Sequence, residues 1–186
     1  MNRVILSPTP ILTTQRLVLR APCAIDWPAF RDFTRDDRSR FVRPGALTDA
    51  QAWRAFGHVI GHWVMRGFGM FAVTERGQDT AIGMAGPWFP EGWPEPEIAW
   101  TLWDAEAEGK GYATEAALAT RAYAYDTLGW TTAISLILDG NDRSAALAAR
   151  LGCVREGGFT HAQFGATSIW RHPAPDAQGA GMEAYA

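Results

Sequence analysis

Apolar and polar positions alternate along some stretches of this chain and recur at helical spacing along others, and the two periods divide it into elements. Residues 11–20 alternate near their end, with Leu17 and Leu19 to one side and Arg16, Val18 and Arg20 to the other, which predicts a first strand. Asp26 before Trp27-Pro28 predicts an N-cap with proline early in a helix that runs to about Thr34. The charged stretch 36–44 reads as loop. Thr48-Asp49-Ala50-Gln51 has the capping-box pattern, and Trp53, Phe56, Ile60, Trp63 and Val64 follow at helical spacing, so a second helix extends to Arg66-Gly67. Residues 68–76 and 80–88 flank Gly77-Gln78-Asp79 as a hairpin. Glu97–Leu102 reads as a short strand, and a helix over about 111–127 stops at Gly129. Residues 131–138 are apolar and β-prone, Asn141 opens a last helix ended by Leu151-Gly152, and 153–159 and 166–170 read as closing strands.

The order β-α-α-β-β-β-α-β-α-β-β implies an α/β fold with a mixed sheet and a ligand near a strand end. With 186 residues the chain suits one domain, 1–186, whose core spans about 11–172 and whose Gly/Ala/Pro-rich tail from Pro173 is expected to be poorly ordered. Hydrophobic residues at 47% and charged residues at 20% match a soluble globular protein. A net charge of −3 argues against nucleic-acid binding, which needs a basic face. No apolar run approaches the roughly 18–20 residues of a membrane span, and the first eight residues lack the apolar core of a secretory signal. A cytoplasmic protein is expected, with Cys23 and Cys153 as free thiols.

Trp88, Trp93, Trp100 and Trp103 crowd one region with Pro87, Pro90, Pro94 and Pro96, either as core packing beside a rigid loop or as an aromatic wall of a cleft. His58 and His62 are four apart on a helix but lack the Glu of His-Glu-x-x-His and a third ligand, so no metal is expected. The most informative stretch is Glu108-Gly109-Lys110-Gly111-Tyr112-Ala113-Thr114-Glu115-Ala116, a glycine-spaced turn running into a helix. Such a turn aims several N–H groups at one spot, and the helix adds its unpaired amides and dipole, so it holds a phosphate without a metal. It is not a Rossmann turn, because it follows four strands and Thr114 stands where the third glycine belongs. It is not a P-loop either, because no Gly-Lys-Ser/Thr ends it.

The sequence resembles the GNAT superfamily of acyl-CoA-dependent N-acyltransferases, within the subgroup of RimJ/RimL-type ribosomal-protein N-terminal acetyltransferases. The resemblance runs from about Leu12 to His172. It is carried by Thr14-Gln15-Arg16-Leu17-Val18-Leu19-Arg20, Ile82-Gly83, Glu97-Ile98-Ala99-Trp100, the glycine turn, Asn141-Asp142-Arg143-Ser144 and Leu151-Gly152, in that order. It implies a mostly antiparallel sheet, splayed in the middle and flanked by helices, that binds acetyl-CoA as co-substrate. The family's Gln/Arg-x-x-Gly-x-Gly/Ala signature falls on Glu108 to Ala113: Gly111 and Ala113 match, Glu108 does not, and its side chain is expected to point to solvent.

The resemblance also implies roles. Glu108, Gly109, Lys110, Gly111, Tyr112, Ala113 and Thr114 would hold the pyrophosphate, and Ile98, Ala99 and Trp100 the pantetheine arm in the splay. Glu97 would take the amine proton, unless it is a structural carboxylate paired to an arginine; Glu95 is its nearest competitor. Many members carry a leaving-group tyrosine where this chain has Ala148, which leaves Ser144 for the thiolate and Asn141 for the pantetheine, unless the two are only an N-cap and a first-turn helper. Cys153 is expected to be a buried small side chain. The activity implied is acetyl transfer to a primary amine, of a protein N-terminus or a small molecule, by direct transfer in a ternary complex. The alternatives are a non-catalytic acyl-CoA-binding or sensing module and a structural domain. Residues 35–47, 88–96 and 159–165 would select the acceptor, and Glu91, Glu95 and Glu97 point to a cationic, partly apolar one. Exposed edge strands and tryptophans suggest a homodimer.

Overall fold

The computed structural model describes residues 8–43, 45–161 and 165–175. The tail beyond residue 175 lies outside them, as do residue 44 and residues 162–164 of the acceptor-selecting segments. The strands are β1 (Leu12–Thr13), β2 (Leu17–Arg20), β3 (Phe71–Glu75), β4 (Ala81–Trp88), β5 (Glu97–Leu102), β6 (Ile134–Leu138), β7 (Val154–His161) and β8 (Gly165–Arg171). The helices are α1 (Trp27–Phe33), α2 (Asp49–Arg66), α3 (Tyr112–Asp126) and α4 (Asp142–Arg150). The strands form one sheet in the order β1-β2-β3-β4-β5-β6-β8-β7, antiparallel except where β5 meets β6.

The expected first strand is two. The Thr14 hydroxyl accepts from the Leu17 amide at 3.0 Å and the Thr14 amide reaches the Leu17 carbonyl at 3.0 Å, which closes a tight hairpin between β1 and β2. Asp26 stands at the N-cap of α1 as expected, with Pro28 in the first turn, but its side chain makes no capping bond; it is fully buried, accepts from the Cys23 amide and is clamped by both terminal nitrogens of Arg20 at 2.8 and 2.7 Å. Thr48 and Gln51 do form the expected capping box on α2, and Gly67 ends it at φ +76°. The buried face of α2 is Ala52, Phe56, Val59, His62 and Trp63; it keeps the expected Phe56 and Trp63 but turns toward Ala52, Val59 and His62, so Trp53 stays 61% exposed and Val64 70%.

Alternate residues of the central strands feed two cores. Leu17, Leu19, Phe71, Val73 and Ile82 pack with Ala116 and Tyr123 of α3. Met70, Ala72 and Met84 pack with Phe30 and Phe33 of α1 and Phe56 and Val59 of α2. Close strand approach explains one glycine: a Cβ on Gly83 would lie 2.3 Å from the Thr101 carbonyl oxygen on β5. The consequence for the site is at β5 and β6. They share one residue pair, Glu97 with Ile134, and then diverge, so the sheet opens into a fork toward the C-terminal end of β5.

Candidate active site

Diverging strands leave backbone groups that must find other partners. Ile134 N–H reaches Pro96 O at 3.0 Å, but beyond that side chains replace the ladder. The Ser135 hydroxyl donates to Ile98 O at 2.6 Å, and the Leu136 amide donates to Glu97 Oε1 at 3.0 Å. Ser135 is held in turn by His172 Nε2 at 2.9 Å, and Arg121 donates to Leu151 O at 2.7 Å and lies 3.4 Å from His172 Nδ1. The chain is consistent with a neutral His172 that donates from Nε2 and accepts at Nδ1. Burial, with Arg121 and Arg171 nearby, pushes the pKa of His172 down to about 3, so it stays neutral.

Glu97 sits at the crotch of this fork, 6% exposed. Its second oxygen, Oε2, accepts from Trp93 Nε1 at 2.5 Å, and among the described residues no arginine pairs with it. Burial in apolar surroundings raises its pKa to about 7, against the smaller opposing pull of the Trp93 and Leu136 hydrogen bonds. Near neutral pH this carboxyl is therefore divided between its acid and base forms. Glu95 is the arginine-paired carboxylate: Arg171 grips it at 2.5 and 2.8 Å and lowers its pKa. Glu91 is fully exposed and lies 3.4 Å from Arg66, so the three glutamates do not form the acidic cluster that the sequence suggested.

Two adjoining cavities open from the fork. One, of about 420 Å³, is lined by Glu97, Ile98, Ala99 and Trp100 with Ser135 to Leu138 across the gap, and by Arg43, His58, Trp88, Trp93 and His161 further out. The other, of about 590 Å³, is lined by Gly109, Gly111, Tyr112, Ala113 and Thr114. Trp100, Asn141 and Ser144 line both. The first helical bond of α3 runs from Glu115 N–H to Gly111 O, so the amides of Tyr112, Ala113 and Thr114 have no intrahelical acceptor. Gly109 at φ +75° and Gly111 at φ +81° make the turn. Glu115 anchors it to the β1–β2 hairpin: one oxygen accepts from the Thr14 hydroxyl (2.6 Å) and Arg16 amide (2.9 Å), the other from Arg16 Nε (2.7 Å).

Glu108 does not point to solvent. Its carboxylate binds Arg143 at 2.6 Å and lies 3.6 Å from Arg38 Nη1, and all three line the second cavity. Arg40 and Arg150 line it too, and the charge of Arg143, with Arg38 nearby, draws the acid in. Arg38 Nη1 is buried and makes no hydrogen bond in spite of that proximity. Lys110 lines neither cavity; its carbonyl holds Arg16 Nη1 at 2.8 Å. The Tyr112 hydroxyl turns away to donate to Glu75 at 2.9 Å.

This arrangement, a forked sheet with a glycine turn and helix N-terminus beside the gap, can be set against known proteins. The acetyltransferase (GNAT) domain family matches residues 16–154. The chain belongs to the GNAT family. It is an N-acetyltransferase, of a family whose members use acetyl-CoA. An acetyltransferase from Agrobacterium tumefaciens is 31% identical, with 93% of this chain and 99% of that one covered and a TM-score of 0.81. Two more distant structures share the fold. An aminoglycoside acetyltransferase in complex with coenzyme A is 16% identical, over 88% of this chain and 97% of that one, at TM-score 0.73. A ribosomal-protein-S5-alanine acetyltransferase from Vibrio fischeri is 15% identical, over 90% and 98%, at TM-score 0.66.

Other residues of this GNAT fold stand as follows. Asn141 caps α4, its Oδ1 accepting from the Ser144 amide at 3.2 Å, so the N-cap reading holds whatever else it does. Ala148 is fully buried in a cluster against which Trp100 packs, so no tyrosine hydroxyl is available there. Cys153 is buried with its thiol pKa pushed up to about 11 by desolvation, which makes it a poor nucleophile. Both nitrogens of His62 are taken by backbone, Phe68 O at 2.8 Å and Phe89 N–H at 3.0 Å, while the ring stacks on Trp88. Among the described residues no group of three His, Cys, Asp or Glu side chains is placed to hold a metal, and no helix is long and apolar enough to cross a membrane. The tryptophan crowd divides: Trp88, Trp93 and Trp100 line the first cavity, and Trp103 is core. Sequence reasoning did not single out Ser135 or His172, and it reached Arg38 and Arg43 only as members of the acceptor-selecting segment 35–47; their individual places come from burial and contacts across the fold.

Proposed function

We propose that this chain moves the acetyl group of acetyl-CoA directly to a primary amine, with Glu97 as the proton acceptor. The observation that carries the proposal is the Glu97 carboxyl: buried, held at both oxygens, facing the cavity at the crotch of the fork, with a pKa of about 7. A base matched to neutral pH can both accept the amine proton and release it again.

The residues present fit the co-substrate. The free amides at the start of α3, the positive-φ glycines and the arginines of the second cavity suit the pyrophosphate, and the buried Arg38 nitrogen lacks an acceptor that a phosphate oxygen would supply. The gap between β5 and β6 suits the pantetheine arm, which can hydrogen-bond to the edge of β5. The thioester then lies near Trp100, Asn141 and Ser144, where the cavities meet. In the reaction the amine nitrogen attacks the thioester carbon, its proton passes to Glu97 directly or through water, and collapse of the tetrahedral intermediate breaks the C–S bond. A backbone amide of β5 would polarise the carbonyl oxygen, and the Ser144 hydroxyl would donate to the departing sulfur.

Thiol release from acetyl-CoA, measured against peptides with varied N-termini, polyamines, aminoglycosides and amino acids, tests this. Turnover of one amine class, reduced roughly 100-fold or more in Glu97→Gln and less in Ser144→Ala while acetyl-CoA still binds, supports it. Tight CoA binding without turnover on any amine would instead support the sensing module.

A further inference from the structure

Arg43 and Arg121 are the buried arginines among the described residues. Arg121 spends its charge on Leu151 O and the His172 chain. Arg43 does not. It is 8% exposed, lies over the rings of Phe30 and Phe33 at 5.3 and 5.9 Å, and forms no hydrogen bond or ion pair to a described residue; its Nε is fully buried and orphaned. It lines the first cavity and not the second, so it belongs to the lobe of Glu97 and not to that of the phosphate-binding turn. Desolvation without any partner lowers its pKa to about 10, which leaves it charged at neutral pH. A buried, unpaired charge is costly, and the cost falls when an anion arrives.

Resting on the reading of that lobe as the acceptor site, we propose that Arg43 receives a carboxylate of the acceptor, which is a small amino acid-like molecule. Its amine reaches Glu97, its carboxylate reaches the Arg43 guanidinium, and its apolar body lies against Val59, Met84 and Trp88, which line the same cavity. A guanidinium matches a carboxylate through two parallel N–H bonds, and its flat face already rests on aromatic rings. One such fork suits a monoanion. The cavity carries neither the free helix amides nor the several arginines found on the phosphate side.

The test uses the full chain with L-phenylalanine, L-methionine and 5-aminopentanoate, each beside its own carboxamide. Thiol release gives kcat/KM, and calorimetry in the presence of CoA gives binding without chemistry. The proposal expects the best carboxylate to exceed its amide by roughly 30-fold or more in both readouts. Arg43→Met should bring that ratio to within about threefold while the protein keeps its affinity for CoA, with Arg43→Lys intermediate. The wild-type comparison stands even if a variant does not fold. Equal use of carboxylate and amide, or better use of peptide N-termini regardless of their charge, overturns this inference and leaves the transferase reading in place. Selective binding of the carboxylates without thiol release would do the reverse.

Discussion

At the scale of single residues the account turns on a carboxyl kept out of water. Glu97 has an ordinary value of 4.5 and a folded value of about 7, so between those pH values the folded protein holds a proton that the unfolded chain has released. Its contribution to stability is therefore present in full below about pH 4.5 and is lost as pH rises through about 7. Chemical unfolding of wild type and Glu97→Gln at a series of pH values isolates this. From pH 5 to 7.5 the difference should shift in favour of the variant by about 2 kcal/mol, and parallel curves would show that the carboxyl is not desolvated. Glu97 itself was legible as a candidate, because the resemblance places it at the head of the strand beside the expected acetyl position. Its real partners were not, since Trp93 and the Leu136 amide meet it only in the folded chain.

At the scale of elements the glycine turn and α3 form the phosphate side. Thr14, Arg16 and Glu115, nearly a hundred positions apart in sequence, are one contact that fixes the turn to the first hairpin. Glu108 now holds Arg143 and lies close to Arg38, the two cations best placed for an incoming phosphate. Glu108→Gln should free Arg143 and remove the negative charge beside Arg38, which Asp36 and Trp103 O still hold, and so tighten acetyl-CoA binding several-fold and steepen its dependence on salt. Isothermal titration at two ionic strengths measures this, and weaker binding would mean that the carboxylate organises the arginines more than it competes for them. The turn was legible because its residues are consecutive. The hairpin within 11–20 was not, because a threonine hydroxyl there does the work of a backbone partner. The buried face of α2 was legible at Phe56 and Trp63 but misread at its edges, because Trp53 and Val64, both hydrophobic, lie outside in the fold.

At the scale of the whole molecule the decisive feature is the fork in an otherwise continuous sheet. It stays open because the Ser135 hydroxyl and the Glu97 carboxyl take the places of two missing ladder bonds, while His172, backed by Arg121, holds Ser135. Ser135→Ala would orphan Ile98 O and His172 Nε2 in the interior, and should cost about 1–3 kcal/mol of unfolding free energy. A loss below roughly 0.5 kcal/mol would show that the chain is not needed to hold the strands apart. The mostly antiparallel sheet and the place of the gap followed from the resemblance, whereas the spatial order of the strands, with β8 between β6 and β7, was not read from the sequence. Arg43 was legible only as part of the acceptor-selecting segment 35–47, since a buried, unpaired guanidinium looks in sequence like any other arginine.

The most direct measurement of the central claim is the pH dependence of kcat/KM, for the best amine acceptor, in wild type and Glu97→Gln. If Glu97 accepts the proton, wild-type activity rises through a limb near pH 7, the value that burial gives its carboxyl, and Glu97→Gln loses both that limb and most of the rate. The same limb in both proteins, at comparable rates, would contradict the account and place the proton acceptor elsewhere.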